Sequence, residues 1–146
     1  MIPHSYTVST SLQDMDVDMI HQFLSTESYW CQGIPRETLE RAMNGSMNFG
    51  VFDGSSQAAY ARVVTDQATF AYLCDVFVLP QYRGQGLSKM LLQAIQSHPA
   101  LQGLRRWMLM TRDAQGLYTQ FGWEPLPDPQ RCMQRHFKDV YQNQPS

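Results

Sequence analysis

Cysteine is scarce in this chain: there are three in 146 residues, Cys31, Cys74 and Cys132. They are too few and too far apart for a disulfide framework or a zinc pattern. The histidines, His4, His21, His98 and His136, are equally scattered, so no metal is expected. An excess of one charge is also missing. Lys and Arg number 11 against 13 Asp and Glu, and the net charge of −2 offers no basic field to nucleic acid or an anionic membrane. No apolar run approaches the about 18 residues of a membrane span. The opening Met1-Ile2-Pro3-His4-Ser5 lacks the basic and apolar regions of a signal peptide. These absences lead us to expect a reduced, cytoplasmic protein with no metal, nucleic-acid or membrane partner.

What is present suits a folded core. The hydrophobic fraction is 43% and the charged fraction 16%. The length, 146 residues, is that of a single domain spanning 1–146, with a polar tail over 140–146 expected to fray. There is no internal repeat or low-complexity segment.

Periodicity gives the elements. Tyr6 and Val8 alternate with polar neighbours in a first strand, and Ser11 to Asp14 resembles a helix cap. Met19, Ile20, Phe23 and Leu24 mark one helix face. Residues 27–33 read as a loop. A second helix starts at Pro35, buries Leu39, Ala42 and Met43, and stops at Asn44-Gly45. Strands follow over 47–52, 57–65 and 70–79, the first two joined at Asp53-Gly54. The remainder reads as strand 106–111, helix 114–120, strand 121–126 and a last strand from Cys132 to His136. Pattern alone gives a mixed α/β domain with a helical crossover after strand 70–79.

The most telling stretch is Val76-Phe77-Val78-Leu79-Pro80-Gln81-Tyr82-Arg83-Gly84-Gln85-Gly86-Leu87-Ser88. An apolar strand enters a glycine turn that opens at once into a helix carrying Leu87, Met90, Leu91, Ala94 and Ile95 on one face, stopped by Ser97-His98-Pro99. Free backbone N–H groups at such a helix start suit a pyrophosphate. A bare structural turn is the plain alternative. The dinucleotide fingerprint fails because its third glycine is Lys89, and no P-loop string exists.

The string Val76-Phe77-Val78-x-Pro80-Gln81-x-Arg83-Gly84-x-Gly86 resembles the acyl-CoA-binding motif of the GNAT superfamily of acetyl-CoA-dependent N-acetyltransferases. A second match follows at the expected distance: strand Trp107 to Thr111, then Leu117-Tyr118-x-x-Phe121-Gly122-Trp123. The resemblance implies an α/β (α+β) fold: one mixed, twisted sheet of about six or seven strands flanked by about four helices. Its order would be β-α-α-β-β-β-α-β-α-β-β. It also implies an antiparallel first half and a V-shaped splay between strands 70–79 and 106–111.

The same resemblance assigns roles. The N–H groups of Arg83, Gly84, Gln85, Gly86, Leu87 and Ser88 would take the pyrophosphate of acetyl-CoA, the co-substrate. Phe77 and Val78 would pair with the pantetheine arm, and an N–H there would polarise the thioester. Arg83 would add charge to a phosphate, or is an ordinary exposed arginine. Tyr118 would be the general acid to the departing thiolate, since a phenol with pKa about 10 stays protonated at neutral pH, or else a core tyrosine, since Ala114, Leu117, Tyr118 and Phe121 also make a helix stripe.

Asp75 is an acidic residue in an apolar strand, sharing a face with Phe77. It is a base or amine anchor if burial raises its pKa, or else a carboxylate bonded to an arginine such as Arg62. Even alternation points Cys74 to the opposite face as a structural thiol. Asp113 would cap the following helix, the favoured reading, or touch the acceptor. Glu27, Tyr29, Trp30, Arg36, Arg62, Trp107 and Arg112 are acceptor-side candidates by residue type, the aromatic pair Tyr29-Trp30 either walling an amine pocket or plugging it. A small-molecule amine is favoured over a protein acceptor. An acyl-CoA sensor without chemistry, or a transferase for a longer acyl chain, stays open. The oligomer is a monomer or a homodimer.

Overall fold

A computed structural model of the chain describes residues 5–142. Residues 1–4 and the end of the polar tail, 143–146, lie outside the described residues. The strands are β1 (Tyr6–Ser9), β2 (Met47–Asp53), β3 (Ser56–Thr65), β4 (Phe70–Val78) and β5 (Arg106–Leu109). The helices are α1 (Val17–Gln22), α2 (Arg36–Asn44), α3 (Leu87–Gln96) and α4 (Gln115–Thr119).

The five strands form one sheet in the order β1-β2-β3-β4-β5. The first four pair antiparallel, and β5 runs parallel to β4. That parallel pair needs a crossover, and α3 supplies it. The β2–β3 hairpin turns at Gly54 (φ 61°), between the paired Asp53 and Ser56.

Two apolar clusters cover the two faces of the sheet. On one, Phe49, Val51, Ala61, Val63, Ala71 and Leu73 meet Leu87, Leu91, Leu92 and Ile95 of α3. Each such aliphatic side chain removed from water contributes about 1.5–3 kcal/mol. On the other, Ile20 of α1 and Leu39 and Met43 of α2 meet Phe52, Tyr60 and Phe77.

α1 is capped by Asp16, whose Oδ1 accepts from the Met19 N–H at 3.1 Å; Ser11, expected as the cap, makes no such bond. α1 runs into a wide turn over Phe23–Glu27, closed by an i→i+5 bond from Ser28 N–H to Phe23 O at 3.1 Å. Thr26 and Ser28 send their hydroxyls back to the carbonyls of Gln22 and Leu24. Such back-bonding loosens a helix end and aims its side chains anew.

The sheet has five strands where six or seven were expected. Neither 121–126 nor Cys132 to His136 forms a strand, and residues 124–140 are all exposed. Pro125 removes an N–H that a ladder over 121–126 would need, and with Pro127 and Pro129 it keeps the chain irregular up to Cys132; residues 132–136 contain no proline and pair with no strand among the described residues. The tail also begins differently from expectation. Tyr141 packs on the second cluster, and Gln142 Nε2 donates to Gln32 O at 3.4 Å.

Candidate active site

β4 and β5 pair only from Phe70–Arg106 to Leu73–Leu109, and then they part. The cause is a bulge at Asp75, which holds φ 55°. The β3–β4 register slips between Tyr60 and Arg62, so one residue of β4 is left over. Asp is among the few L-residues that tolerate this conformation, and an extra residue bends and twists its strand. Beyond Leu73 the edge of β4 that faced β5 is therefore unpaired among the described residues.

A groove of about 510 Å³ opens along that edge. Residues 76–78 of β4 form its floor, and Arg83, Gly84, Gly86, Leu87 and Ser88 close one end. Gly84 and Gly86 both hold φ 80°, and no atom lies within 4 Å of where a Cβ would stand on either. Gly86 is the residue before the first turn of α3, so the orphan N–H groups of that ten-residue helix face open space. Of the motif residues expected at a phosphate, Arg83 is exposed and its Nε donates to Val78 O at 3.1 Å. Gln85 accepts a hydrogen bond from the Tyr6 hydroxyl, which ties the turn to β1.

Glu27, an acceptor-side candidate by residue type, also lines the groove, as do three residues that sequence reasoning did not assign to a site: Phe23, Lys89 and Leu117. Phe23 stacks on Phe77 at 4.0 Å between ring centroids. Only the helical periodicity around Phe23 hinted at any role, and it marked core. Lys89 had been met solely as a missing glycine.

Asp75 directly precedes the groove residue Val76 but does not itself line the groove, and it is 8% exposed. Its Oδ1 accepts from Trp30 Nε1 at 2.9 Å and its Oδ2 from Arg62 Nε at 2.8 Å. Arg62 also donates to Ser46 Oγ at 3.0 Å. Burial works against the Arg62 charge, yet Asp75 and its other neighbours hold its pKa above the ordinary arginine value. Cys74 faces the same cluster, because the bulge defeats the alternation that would have sent it to the other face: it pairs opposite Arg62 and feels the charges of Arg62 and Asp75. Burial pushes its thiol up to about 12, which leaves it no nucleophile at neutral pH.

Tyr29 and Trp30 are 49% and 40% exposed, so they do not plug the core. Trp30 lines the groove. The Tyr29 hydroxyl accepts from the Arg112 N–H at 3.2 Å, and the Arg112 guanidinium lies 4.0 Å over its ring. The loop after α1 thus bridges the V to the segment after β5.

Tyr118, on α4, does not line the groove, although its neighbour Leu117 does; it is 8% exposed, with its ring centroid 5.9 Å from that of Trp123. Burial and the nearby Tyr29 raise its pKa, so its hydroxyl keeps its proton well above neutrality. Asp113 does not cap α4. Thr111 Oγ1 accepts from the Ala114 N–H at 3.0 Å instead, and Asp113 pairs with Arg112 at 3.7 Å.

A strand edge laid open by a bulge, a positive-φ glycine turn and a free helix start define the acyltransferase class to which the sequence motifs pointed. Residues 44–125 match the profile described as Acetyltransferase (GNAT) domain. A Gibberella zeae protein named "Putative acetyltransferase" is 34% identical, over 77% of this chain and 75% of its own. The crystal structure of a GNAT-family protein of Xanthomonas campestris pv. campestris is 47% identical and superposes with TM-score 0.92, over 97% of this chain and 99% of that one. Glucosamine-6-phosphate N-acetyltransferase of Arabidopsis thaliana shares the fold at 16% identity, with TM-score 0.64 over 91% of this chain and 99% of its own. The chain belongs to the GNAT acetyltransferase family.

Proposed function

We propose that the protein transfers an acetyl group from acetyl-CoA to a small-molecule amine by direct attack. The observation that carries this reading is the groove: an unpaired strand edge at residues 76–78 leading into the N-terminus of α3. The glycine turn and residues 83–88 suit a pyrophosphate by main-chain N–H groups and the helix dipole. The open edge at Phe77 and Val78 suits the amides of a pantetheine chain, which would add as a short strand.

In the reaction the amine nitrogen bonds to the thioester carbon, and an N–H at Phe77 or Val78 stabilises the oxyanion. The carbon–sulfur bond then breaks and Tyr118 passes its phenolic proton to the thiolate. Tyr118 recovers a proton from solvent, and the nitrogen sheds its own.

Both oxygens of Asp75 are engaged by Trp30 and Arg62. In this reading Asp75 is therefore a positioning residue that holds Trp30 on the groove rather than the base. Glu27 lines the groove with its carboxylate exposed, and beside Trp30 it favours a cationic amine approaching this end.

The test is thiol release from acetyl-CoA by the purified protein across amines, amino acids and short peptides. Acceptor-dependent release with small amines establishes the reading. Binding without release to any acceptor turns it into an acyl-CoA sensor. Faster turnover with propionyl- or succinyl-CoA changes the donor.

A further inference from the structure

The two ends of the groove carry opposite charge. Its cations, Arg83 and Lys89, stand with the glycine turn at the start of α3. Among the described residues that line it, Glu27 alone brings a carboxylate, from the wide turn after α1. That turn lies in the chain between Phe23, stacked on Phe77 at 4.0 Å, and Trp30, whose indole N–H reaches Asp75 at 2.9 Å. Asp75 is the bulge at which β4 and β5 part. Glu27 and Trp30 therefore flank the mouth of the V, away from the phosphate end.

The other charges at this mouth are already compensated. Asp75 is held by Trp30 and Arg62, and Asp113 lies 3.7 Å from Arg112. The Arg112 guanidinium is further occupied over the Tyr29 ring. Glu27 is exposed and enters no ion pair among the described residues. Beside it, Trp30 has its one polar atom engaged, so what its exposed part offers a ligand is the π face. A carboxylate next to an indole face suits an organic cation.

That cation cannot be the attacking nitrogen. An alkyl amine with pKa about 10.4 is almost wholly ammonium at neutral pH, and it attacks only after losing a proton. A carboxylate at that nitrogen would hold the proton on. A second nitrogen has the opposite need: it gains from Glu27 only while charged. Its charge also lowers the pKa of the first nitrogen by like-charge repulsion, which favours the neutral nucleophile. One molecule with two amino groups meets both conditions at once.

We infer, granting the transfer to amines proposed above, that the acceptor is an alkyl diamine whose far ammonium is held by Glu27 and the Trp30 ring while its near amine attacks the thioester. The near nitrogen gains the acetyl group and loses one proton, the thiolate gains one, and the far nitrogen is unchanged. Glu27 is then the specificity residue of the acceptor side. Asp75 serves it indirectly, by fixing the indole through its hydrogen bond.

Acceptors of one length isolate the far charge: tetramethylenediamine, aminobutanol and aminobutyric acid end in an ammonium, a hydroxyl and a carboxylate. With acetyl-CoA, kcat/KM should fall in that order, by about tenfold from the first to the second and mainly through KM. Glu27→Gln, at an exposed position that the core does not need, should narrow that gap to within about twofold. High salt should narrow it as well, because the pair is exposed. Calorimetric titration of the same compounds into the protein, with and without CoA, repeats the comparison without turnover. Absence of transfer to every amine defeats the transferase reading alone, and the titration then decides on Glu27. Equal kcat/KM for diamine and aminobutanol, or equal affinity where nothing is transferred, overturns the inference. So does a preference that survives in Glu27→Gln, or a loss in that variant that falls equally on all three acceptors, which would make Glu27 the base.

Discussion

Trp30 donates its indole N–H to Asp75 Oδ1 over 2.9 Å, and the bond crosses from the loop after α1 to the bulge that opens β4. With Arg62 on the other oxygen, Asp75 is a buried charge that is fully paired. Asp75→Ala should therefore destabilise the fold by about 3–5 kcal/mol, because it strands the Arg62 guanidinium. Trp30→Phe should cost about 1.5–3 kcal/mol, the loss of one bond to a charged acceptor. Urea denaturation checks both. Asp75→Ala losing no more stability than Trp30→Phe would show that Arg62 finds another partner.

Tyr118 is packed by its ring and not by its hydroxyl: Trp123 flanks the ring, and no described group bonds the oxygen. Removing the oxygen alone should leave stability and donor affinity nearly unchanged. Tyr118→Phe is expected to lower turnover about a hundredfold or more, as loss of a general acid does. Melting temperature, acetyl-CoA calorimetry and initial rates separate these quantities. Turnover within about twofold of wild type removes Tyr118 from the chemistry.

Much of this arrangement was readable in order along the chain. Leu87, Leu91 and Ile95 announced α3 and all three are buried; Val76 to Gly86 announced the groove and its closed end. What was not readable was anything resting on a non-local pairing. The bulge at Asp75 is set by how β4 lies against β3, so alternation misplaced Cys74. The wide turn after α1 depends on hydroxyls returning to Gln22 and Leu24, so Phe23, read as one face of a regular helix, gave no sign of lining the groove. The segment from Cys132 to His136 has strand composition but pairs with no strand among the described residues, and composition cannot supply a partner.

The glycine turn can be tested apart from packing. Gly84 and Gly86 meet nothing within 4 Å at a built Cβ, so an added methyl clashes with no protein atom. Its penalty is the φ of 80°, about 1–2 kcal/mol of strain per L-residue. Gly86→Ala should keep the fold and weaken CoA binding about tenfold or more, as the turn relaxes and the methyl occupies the space above the helix start. Isothermal titration with CoA reads this directly. Unchanged affinity together with a lowered melting temperature would mean that the turn is structural only.

The thiols give a pH-dependent signature with a definite sign. Burial raises Cys31 to about 11 and Cys74 to about 12 from an ordinary value near 9, whereas Cys132 is exposed. In the native protein at pH 8 a thiol reagent should modify Cys132 alone, and all three cysteines once the chain is denatured. Because both folded pKa values lie above the unfolded one, the native state holds protons that the unfolded chain releases. Stability from this source is complete below about pH 9 and is lost as pH rises towards 11 and 12. The buried tyrosines Tyr60 and Tyr118 are shifted upward too, but from an ordinary value of 10, so the interval between pH 8 and 10 reports mainly on the thiols. Urea midpoints across that interval should fall for the wild type and fall less for Cys31→Ala. A midpoint flat to pH 10 would mean that water reaches both thiols.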